Sequence, residues 1–490
     1  MSHETIPHWL TKQAELVPDA TAFELATGEK VSFFELQQKS QSFARKLSQA
    51  GVKEGMHVGL LSPNHLSMAV AIHALSYLGA VAVMLNIRLT NAELSFQIED
   101  ADVEKVLVHD DLRHAASEMT FADKIQAFSD IEQLEESIVH LKSELVLNNP
   151  FTIIYTSGTT GFPKGVVHTY GNHWWSAIAS ALNLGLDKQD KWLCALPLFH
   201  VGGLSILLRS VIYGMPVYLL EKFEASVVNK AILEKGVTIA SVVTVMLQRL
   251  IADQGDTPYP HSFRCMLLGG GPVPLPLLKA AKTLNIPVFQ TYGMTETSSQ
   301  IVTLSAADAL EKTGSAGKPL IPAQLYIDAN QGDVGDIYVK GPMVTSGYYK
   351  REQATKESFE NGWLRTGDLG RLDQDGFLYI VDRRHDLIIS GGENIYPSEI
   401  ESVLYGVTGI NEAAVVGKED PEWGQVPVAF VVRSDSNLEQ NDILDHVSRQ
   451  LAGYKVPKEI YFVDALPRNA TNKVMRYKLV TILDTYSNQS

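Results

Sequence analysis

HVGLLSPNHLSMAVAIHALSYLGAVAVML, residues 57–85, decides how the rest of the chain is read. Residues 68–85 carry no formal charge and are long enough to suggest a membrane-spanning helix. His73, Ser76 and Gly79 interrupt the run, and its character changes midway from helical to a short apolar strand over residues 80–85. The stretch therefore reads as strand, loop, helix, strand: a buried α/β unit rather than a membrane span. Outward from it, over about residues 51–302, apolar runs such as VEKVLVHD, FTIIYTSG, PVYLLE, IASVVT, CMLLGG and PVFQTYG alternate with helical patterns. Short apolar strands between amphipathic stretches predict parallel sheets covered by helices. After Ala316 the texture changes. GDVGDIYVKGPMVTSGYY and GWLRTGDLGRLDQDGFLYIVDRR alternate with Gly and Asp turns, which predicts a small antiparallel, barrel-like region over about residues 316–382. Beyond the charged run Asp382-Arg383-Arg384-His385-Asp386 lies a segment with its own helices (YPSEIESVLYG, DILDHVSRQLAG) and strands (EAAVVGK, VPVAFVVRS). Its size and α+β pattern suit a separate domain. The expected fold is thus α/β, with a large domain over residues 1–384 and a small mobile domain over residues 385–490, joined at a hinge.

The composition narrows the partners. Of 490 residues, 45% are hydrophobic and 20% charged, which excludes a disordered, collagen-like or disulfide-scaffold protein. Forty-one Lys plus Arg stand against fifty-six Asp plus Glu, a net charge of −15. Such a surface repels nucleic acid and anionic membrane, so any bound anion needs a local site. Cys194 and Cys265 sit in apolar surroundings, which excludes a disulfide framework or a cysteine metal site. The start, MSHETIPHWLTKQAEL, lacks a basic region followed by an apolar run, so no signal peptide is expected. A cytoplasmic protein without nucleic-acid partner or membrane insertion is the expectation; homo-oligomerisation stays open.

One segment carries chemistry on its face. Tyr155-Thr156-Ser157-Gly158-Thr159-Thr160-Gly161-Phe162-Pro163-Lys164-Gly165 follows the apolar FTII. Glycines let backbone N–H groups turn toward an anion, hydroxyls add donors, and lysine adds charge. This is phosphate-binding composition, though not a Walker A loop, which ends Gly-Lys-Ser/Thr. A plain surface turn rarely needs so many donors.

TSGTTGFPKGV resembles the phosphate loop of the acyl-adenylate-forming enzymes: acyl- and aryl-CoA ligases, luciferases and the adenylation domains of peptide synthetases. Four further segments resemble that family's motifs in order: TYGMTET (291–297), TGD (366–368), DRRHDLIISGGENIYPSEIE (382–401) and LPRNATNKVMR (466–476). The likeness implies a two-step reaction. A carboxylate attacks the α-phosphorus of ATP to give an acyl-AMP and pyrophosphate, and CoA thiol then displaces AMP.

On that resemblance, Thr156, Ser157, Gly158, Thr159, Thr160 and Lys164 hold the pyrophosphate end of ATP. Glu296, with a loop hydroxyl such as that of Thr160, holds Mg²⁺, an ion that prefers oxygen ligands. The blander reading of Glu296 is a charge at a helix start. Gly270 and Gly271 let adenine or the acyl group approach, Thr291, Tyr292, Gly293, Met294 and Thr295 line the nucleotide, Asp368 takes the ribose hydroxyls, and Arg383 joins them. A core tyrosine and a turn aspartate are the plain alternatives for Tyr292 and Asp368. Lys473 contacts the attacking carboxylate and the α-phosphate. Ser390, Gly391, Gly392 and Glu393 line the pantetheine path of CoA. His385 is the hinge, where the family usually has Asp or Lys.

The acid pocket is read from ALPLFHVGGLSILLRSVIYGMPVYLL (195–220). His200 resembles a residue that closes over the acyl group; a satisfied core histidine is its alternative. Arg209 interrupts an apolar run. A fatty-acyl pocket has no use for a buried cation, whereas a second carboxylate does, because a guanidinium binds it bidentately. An arginine reaching solvent or an internal acid is the rival reading. Gly270 and Ser298 complete the acid contacts, with Thr297 and Ser299 as further polar neighbours. The wording of NHWWSAIASALNLGL and LLGGGPVPLPLL looks most like the bacterial o-succinylbenzoate–CoA ligases of menaquinone biosynthesis, whose substrate, 2-succinylbenzoate, is a dicarboxylate. Another aryl- or fatty-acyl-CoA ligase, or a nucleotide-binding regulator without catalysis, remain alternatives.

Overall fold

The computed structural model describes residues 4–156, 163–269, 273–383, 388–390, 393–395, 397–420, 422–451, 453–469 and 472–487. Residues 57–85 form the expected unit: strand His57–Leu61, helix Leu66–Leu78 and strand Val81–Leu85, the two strands adjacent and parallel from His57 opposite Val81 to Leu61 opposite Leu85. The helix is apolar all round because protein covers every side: each of residues 68–78 is buried. His65 caps its start by accepting from the Ser67 N–H, and Gly79 ends it at φ 71°, a left-handed turn cheap only for glycine. At 1.5 Å per residue it spans about 20 Å, too short for a bilayer core. No helix among the described residues is long and apolar enough to cross a membrane.

These strands sit in a six-stranded sheet ordered Lys164–Thr169, Pro150–Thr156, Val81–Leu85, His57–Leu61, Lys105–Val108, Ile125–Ala127. All its neighbours are parallel except the first pair. A nine-stranded sheet has six parallel strands at its centre: Val288–Met294, Cys265–Gly269, Ile239–Val243, Trp192–Cys194, Val217–Leu219 and Thr21–Leu25. Antiparallel strands close both edges, Ser299–Leu304 and Lys318–Pro319 on one side and Lys30–Ser32 on the other. The parallel sheets expected from the sequence are thus present, with antiparallel strands added at their edges. The alternating region also begins earlier than residue 51, because Thr21–Leu25 belongs to this sheet. That strand is short, and its parallel neighbour lies nearly two hundred residues away (Leu25 opposite Leu219), so no βα alternation announces it.

A five-stranded sheet takes Gln324–Asp328, Gly335–Lys340, Phe359–Glu360, Trp363–Leu372 and Leu378–Arg383, the last two an antiparallel hairpin. The last sheet pairs Glu393–Ile395, Ile388–Ser390, Gly424–Arg433, Ile410–Asp420 and Glu459–Phe462 and carries helices Pro397–Leu404 and Gln440–Ser448. The chain divides into two compact units, one of residues 1–273, 277–325 and 339–364, the other of residues 274–276, 326–338 and 365–490. Each has its own core; that of the second gathers Ile388, Ile400, Val415, Val431, Ile443 and Ile460.

Candidate active site

In the first unit the anion loop joins two paired strands. Thr156, the last residue of Pro150–Thr156, lies opposite Lys164, the first of Lys164–Thr169. The flanking strands therefore pair antiparallel, and a strand rather than a helix begins at Lys164, which fits the absence of a Walker ending. Ser157, Gly158, Thr159, Thr160, Gly161 and Phe162 lie outside the described residues. Lys164 holds its ammonium 5.1 Å from the centre of the Tyr348 ring and makes no ion pair among the described residues.

Glu296 sits in the one-turn helix Thr295–Thr297 that follows strand Val288–Met294. It is buried, and its Oε1 accepts from the Tyr348 hydroxyl at 3.0 Å. Three contacts from two neighbouring segments fix that turn. His168 contacts the Thr295 carbonyl through Nε2 at 2.7 Å, Thr345 N–H donates to the Glu296 carbonyl at 2.8 Å, and Ser298 donates its hydroxyl to the Met343 carbonyl at 2.8 Å. Ser298 is fully buried, so its side chain serves the turn. Thr291, Tyr292, Gly293 and Met294 run along the strand before the turn, and Thr291 donates to the Leu268 carbonyl at 3.1 Å. Gly270 and Gly271 lie outside the described residues. A buried carboxylate oriented by a phenol, in a hydroxyl-rich setting, is a donor set that fits a hard divalent cation.

Arg209 lies in helix Val201–Tyr213, whose buried face would normally be wholly apolar. Its side chain is only 2% exposed. Nη2 donates to Ser299 Oγ at 2.8 Å and to Ser176 Oγ at 3.4 Å, the guanidinium lies 5.4 Å from the Trp192 ring centre, and Nε has no partner. No carboxylate pairs with it among the described residues. Among the described residues, then, the arginine reaches neither solvent nor an internal acid. Burial pulls its pKa below the ordinary arginine value. His173, whose Nε2 contacts Thr152 Oγ1 at 2.9 Å, is pushed well below a histidine's usual range by burial and by the charges of His168 and Arg209. His200 occupies the N-cap position of the same helix, half-buried against Phe199.

In the second unit Asp368 is nearly buried on strand Trp363–Leu372, opposite Arg383 on Leu378–Arg383. Its N–H donates to Thr366 Oγ1 at 3.2 Å, and Thr366 donates to the Ile337 carbonyl at 3.0 Å, so the TGD turn is tied to the sheet. Lys473 is exposed in a closed loop: its N–H donates to Asn469 Oδ1 at 2.9 Å, its carbonyl accepts from Asn469 N–H at 2.9 Å, and Arg468 bridges Asn472 and Glu412. Ser390 pairs across a hairpin with Glu393. His385, Gly391 and Gly392 lie outside the described residues.

The sequence model of the AMP-binding enzymes matches residues 10–349, and that of the AMP-binding enzyme C-terminal domain matches residues 399–473. The chain belongs to the AMP-binding enzymes. Within that family it is 57% identical to a 2-succinylbenzoate–CoA ligase of Oceanobacillus iheyensis over 481 residues, 97% of this chain and 99% of that protein. It is also similar to the o-succinylbenzoate CoA synthetase MenE of Bacillus subtilis. The complex of that enzyme with the acyl-adenylate OSB-AMP is 43% identical at a TM-score of 0.92, covering 97% of this chain and 98% of the other. Its complex with ATP and magnesium ion is 44% identical at a TM-score of 0.93, covering 97% and 100%.

Reading the motifs as blocks missed four residues that the structure places against Glu296, its turn or Arg209: Tyr348, His168, Ser176 and Trp192. Tyr348 carried a visible signal in the SGYY that closes the first stretch quoted after Ala316, and Ser176 lay within NHWWSAIASALNLGL.

Proposed function

We infer that this chain joins 2-succinylbenzoate to CoA with ATP, through an acyl-AMP, releasing AMP and pyrophosphate, as a step of menaquinone biosynthesis. The observation that carries the choice of acid is the buried guanidinium of Arg209, which has no acid partner among the described residues. A lone buried cation costs several kcal/mol of solvation that two hydroxyls do not restore. A substrate that brings its own second carboxylate supplies the missing partner; a fatty acid does not.

Each step then has its residues. Thr156 and Lys164 steady the phosphates at the two ends of the loop. Glu296 holds Mg²⁺ together with a loop hydroxyl such as Thr160; when bound, the ion offsets the charge that gathers as one anion attacks another. Asp368 orients the ribose, and Lys473 places its ammonium against the attacking carboxylate and the α-phosphate. Ser390 and Glu393 border the CoA path, and rotation about His385 exchanges Lys473 for that path between half-reactions. Two free, buried cysteines, both pushed up to about 12 by burial, suit a reducing cytoplasm.

A pyrophosphate-release assay over a panel of acids tests the reading. Turnover with 2-succinylbenzoate far above benzoate and long-chain fatty acids is expected. Equal turnover with a fatty acid would favour a general acyl-CoA ligase, and no acid-dependent exchange of pyrophosphate into ATP would favour a regulator.

A further inference from the structure

We propose that Tyr348 is a positioning residue that keeps Lys164 and Glu296 from neutralising each other and aims Glu296 at the metal. The proposal rests on the reading of Glu296 as a Mg²⁺ ligand and Lys164 as a phosphate ligand.

Both groups are intended for one ligand, the metal-bound triphosphate. Without nucleotide, an ammonium and a carboxylate in the same site attract each other, and an ion pair between them would have to break before ATP could enter. The structure instead puts one phenol against both. Its ring face receives the Lys164 ammonium at 5.1 Å, and its hydroxyl, facing Ser358 as well, donates to Glu296 at 3.0 Å. A cation over a ring is held, yet remains available to an anion. A carboxylate with one oxygen on a phenol has its orientation fixed, as partners behind a metal ligand do.

Tyr348 is itself placed by backbone. Its own N–H donates to Thr355 Oγ1 at 3.0 Å, and it bridges Val166 in antiparallel fashion. On either side, Val167 N–H donates to Gly347 O at 3.2 Å and Tyr349 N–H to Gly165 O at 2.8 Å. The segment thus lies along the strand that begins with Lys164. Thr345 N–H, one turn earlier, holds the Glu296 carbonyl. Loop strand and metal-ligand turn are registered through this one segment.

Two variants separate the roles. Tyr348→Phe keeps the ring and removes the hydroxyl. The Mg²⁺ concentration for half-maximal ATP–pyrophosphate exchange should rise about 10-fold, as for loss of an outer-shell partner, while calorimetric binding of ATP in EDTA stays at the parent value. Tyr348→Leu removes the ring as well, so ATP binding in EDTA should weaken, and this weakening should vanish in the Glu296→Gln background. A Tyr348→Phe enzyme with parental Mg²⁺ dependence, beside a Glu296→Gln enzyme whose dependence shifts, overturns the aiming role and leaves the metal reading standing. If Glu296→Gln shifts nothing, the metal reading falls, and the proposal with it. Equal weakening by Tyr348→Leu in both backgrounds overturns the charge-separating role.

Discussion

Arg209 shows how much one side chain can say once its neighbours are known. The residue stands out in the sequence because a cation breaks an apolar run, but solvent, an internal acid and a ligand remain equally open there. It is buried against two hydroxyls and the Trp192 face, with neither solvent nor, among the described residues, an acid beside it. Arg209→Ala should raise the KM for 2-succinylbenzoate by about 10- to 100-fold, the range for a lost hydrogen bond to a charged group, and leave the KM for ATP little changed. Arg209→Lys should fall between, since a point charge lacks the planar fork. A parental KM in both removes Arg209 from the acid pocket. Lys473 is the opposite case: its motif assigns the role, and the structure adds only that its loop is closed and its side chain exposed. Lys473→Ala should cut adenylation on the order of 10²- to 10³-fold yet spare thioester formation from supplied acyl-AMP. Equal losses in the two half-reactions would contradict the assignment. Ser298 and Ser299 mark the limit of reading by motif. Adjacent residues of one type have different work, because φ of 52° at Ser298 and 104° at Ser299 turns them apart, one hydroxyl to Met343 and the other to Arg209.

Among the elements, the turn that carries Glu296 depends on a close approach that the sequence does not display. Strand Val288–Met294 shifts register between Tyr292 and Gly293 against its antiparallel neighbour. A Cβ on Gly293 would overlap the Ser299 carbonyl and come within 2.8 Å of Gln300 Cα, both backbone atoms that cannot swing away. Gly293→Ala should therefore cost about 1–3 kcal/mol, as overpacking usually does, and displace Glu296. Thermal unfolding and the Mg²⁺ dependence of pyrophosphate exchange should move together; an unmoved melting temperature would show that the bulge relaxes. Strand and helix positions from residue 57 onward were legible because buried parallel strands are short, apolar and regularly spaced by helices. The strand Thr21–Leu25 was not, since its place in the parallel sheet comes from pairing with the distant Val217–Leu219 rather than from its own five residues.

For the first unit as a whole, buried histidines set the acid limit of stability. His8, stacked on Tyr77 at 3.7 Å and in contact with Ser76 Oγ at 2.9 Å, is lowered to about 3 by burial and by nearby His73; burial lowers His73 and His168 to about 4. They are neutral when folded and bind protons when unfolded below about 6.5. Their contribution to stability is therefore complete above pH 6.5 and is lost as pH falls toward 4. Each contributes a slope of up to about 1.4 kcal/mol per pH unit in that window. Urea unfolding at pH 7 and 5.5 should show this steep decline, reduced by one histidine's share in His73→Gln; equal stability at the two pH values would contradict it. What the sequence determined alone was local in origin: the α/β class, from strand and helix periodicity, and the anion loop, from the density of donors within eleven residues. What the tertiary structure decided was which distant groups meet. Arg209 reaches Ser299 across 90 positions and Tyr348 reaches Glu296 across 52. Such meetings follow from strand order and register, which no local pattern of residues encodes.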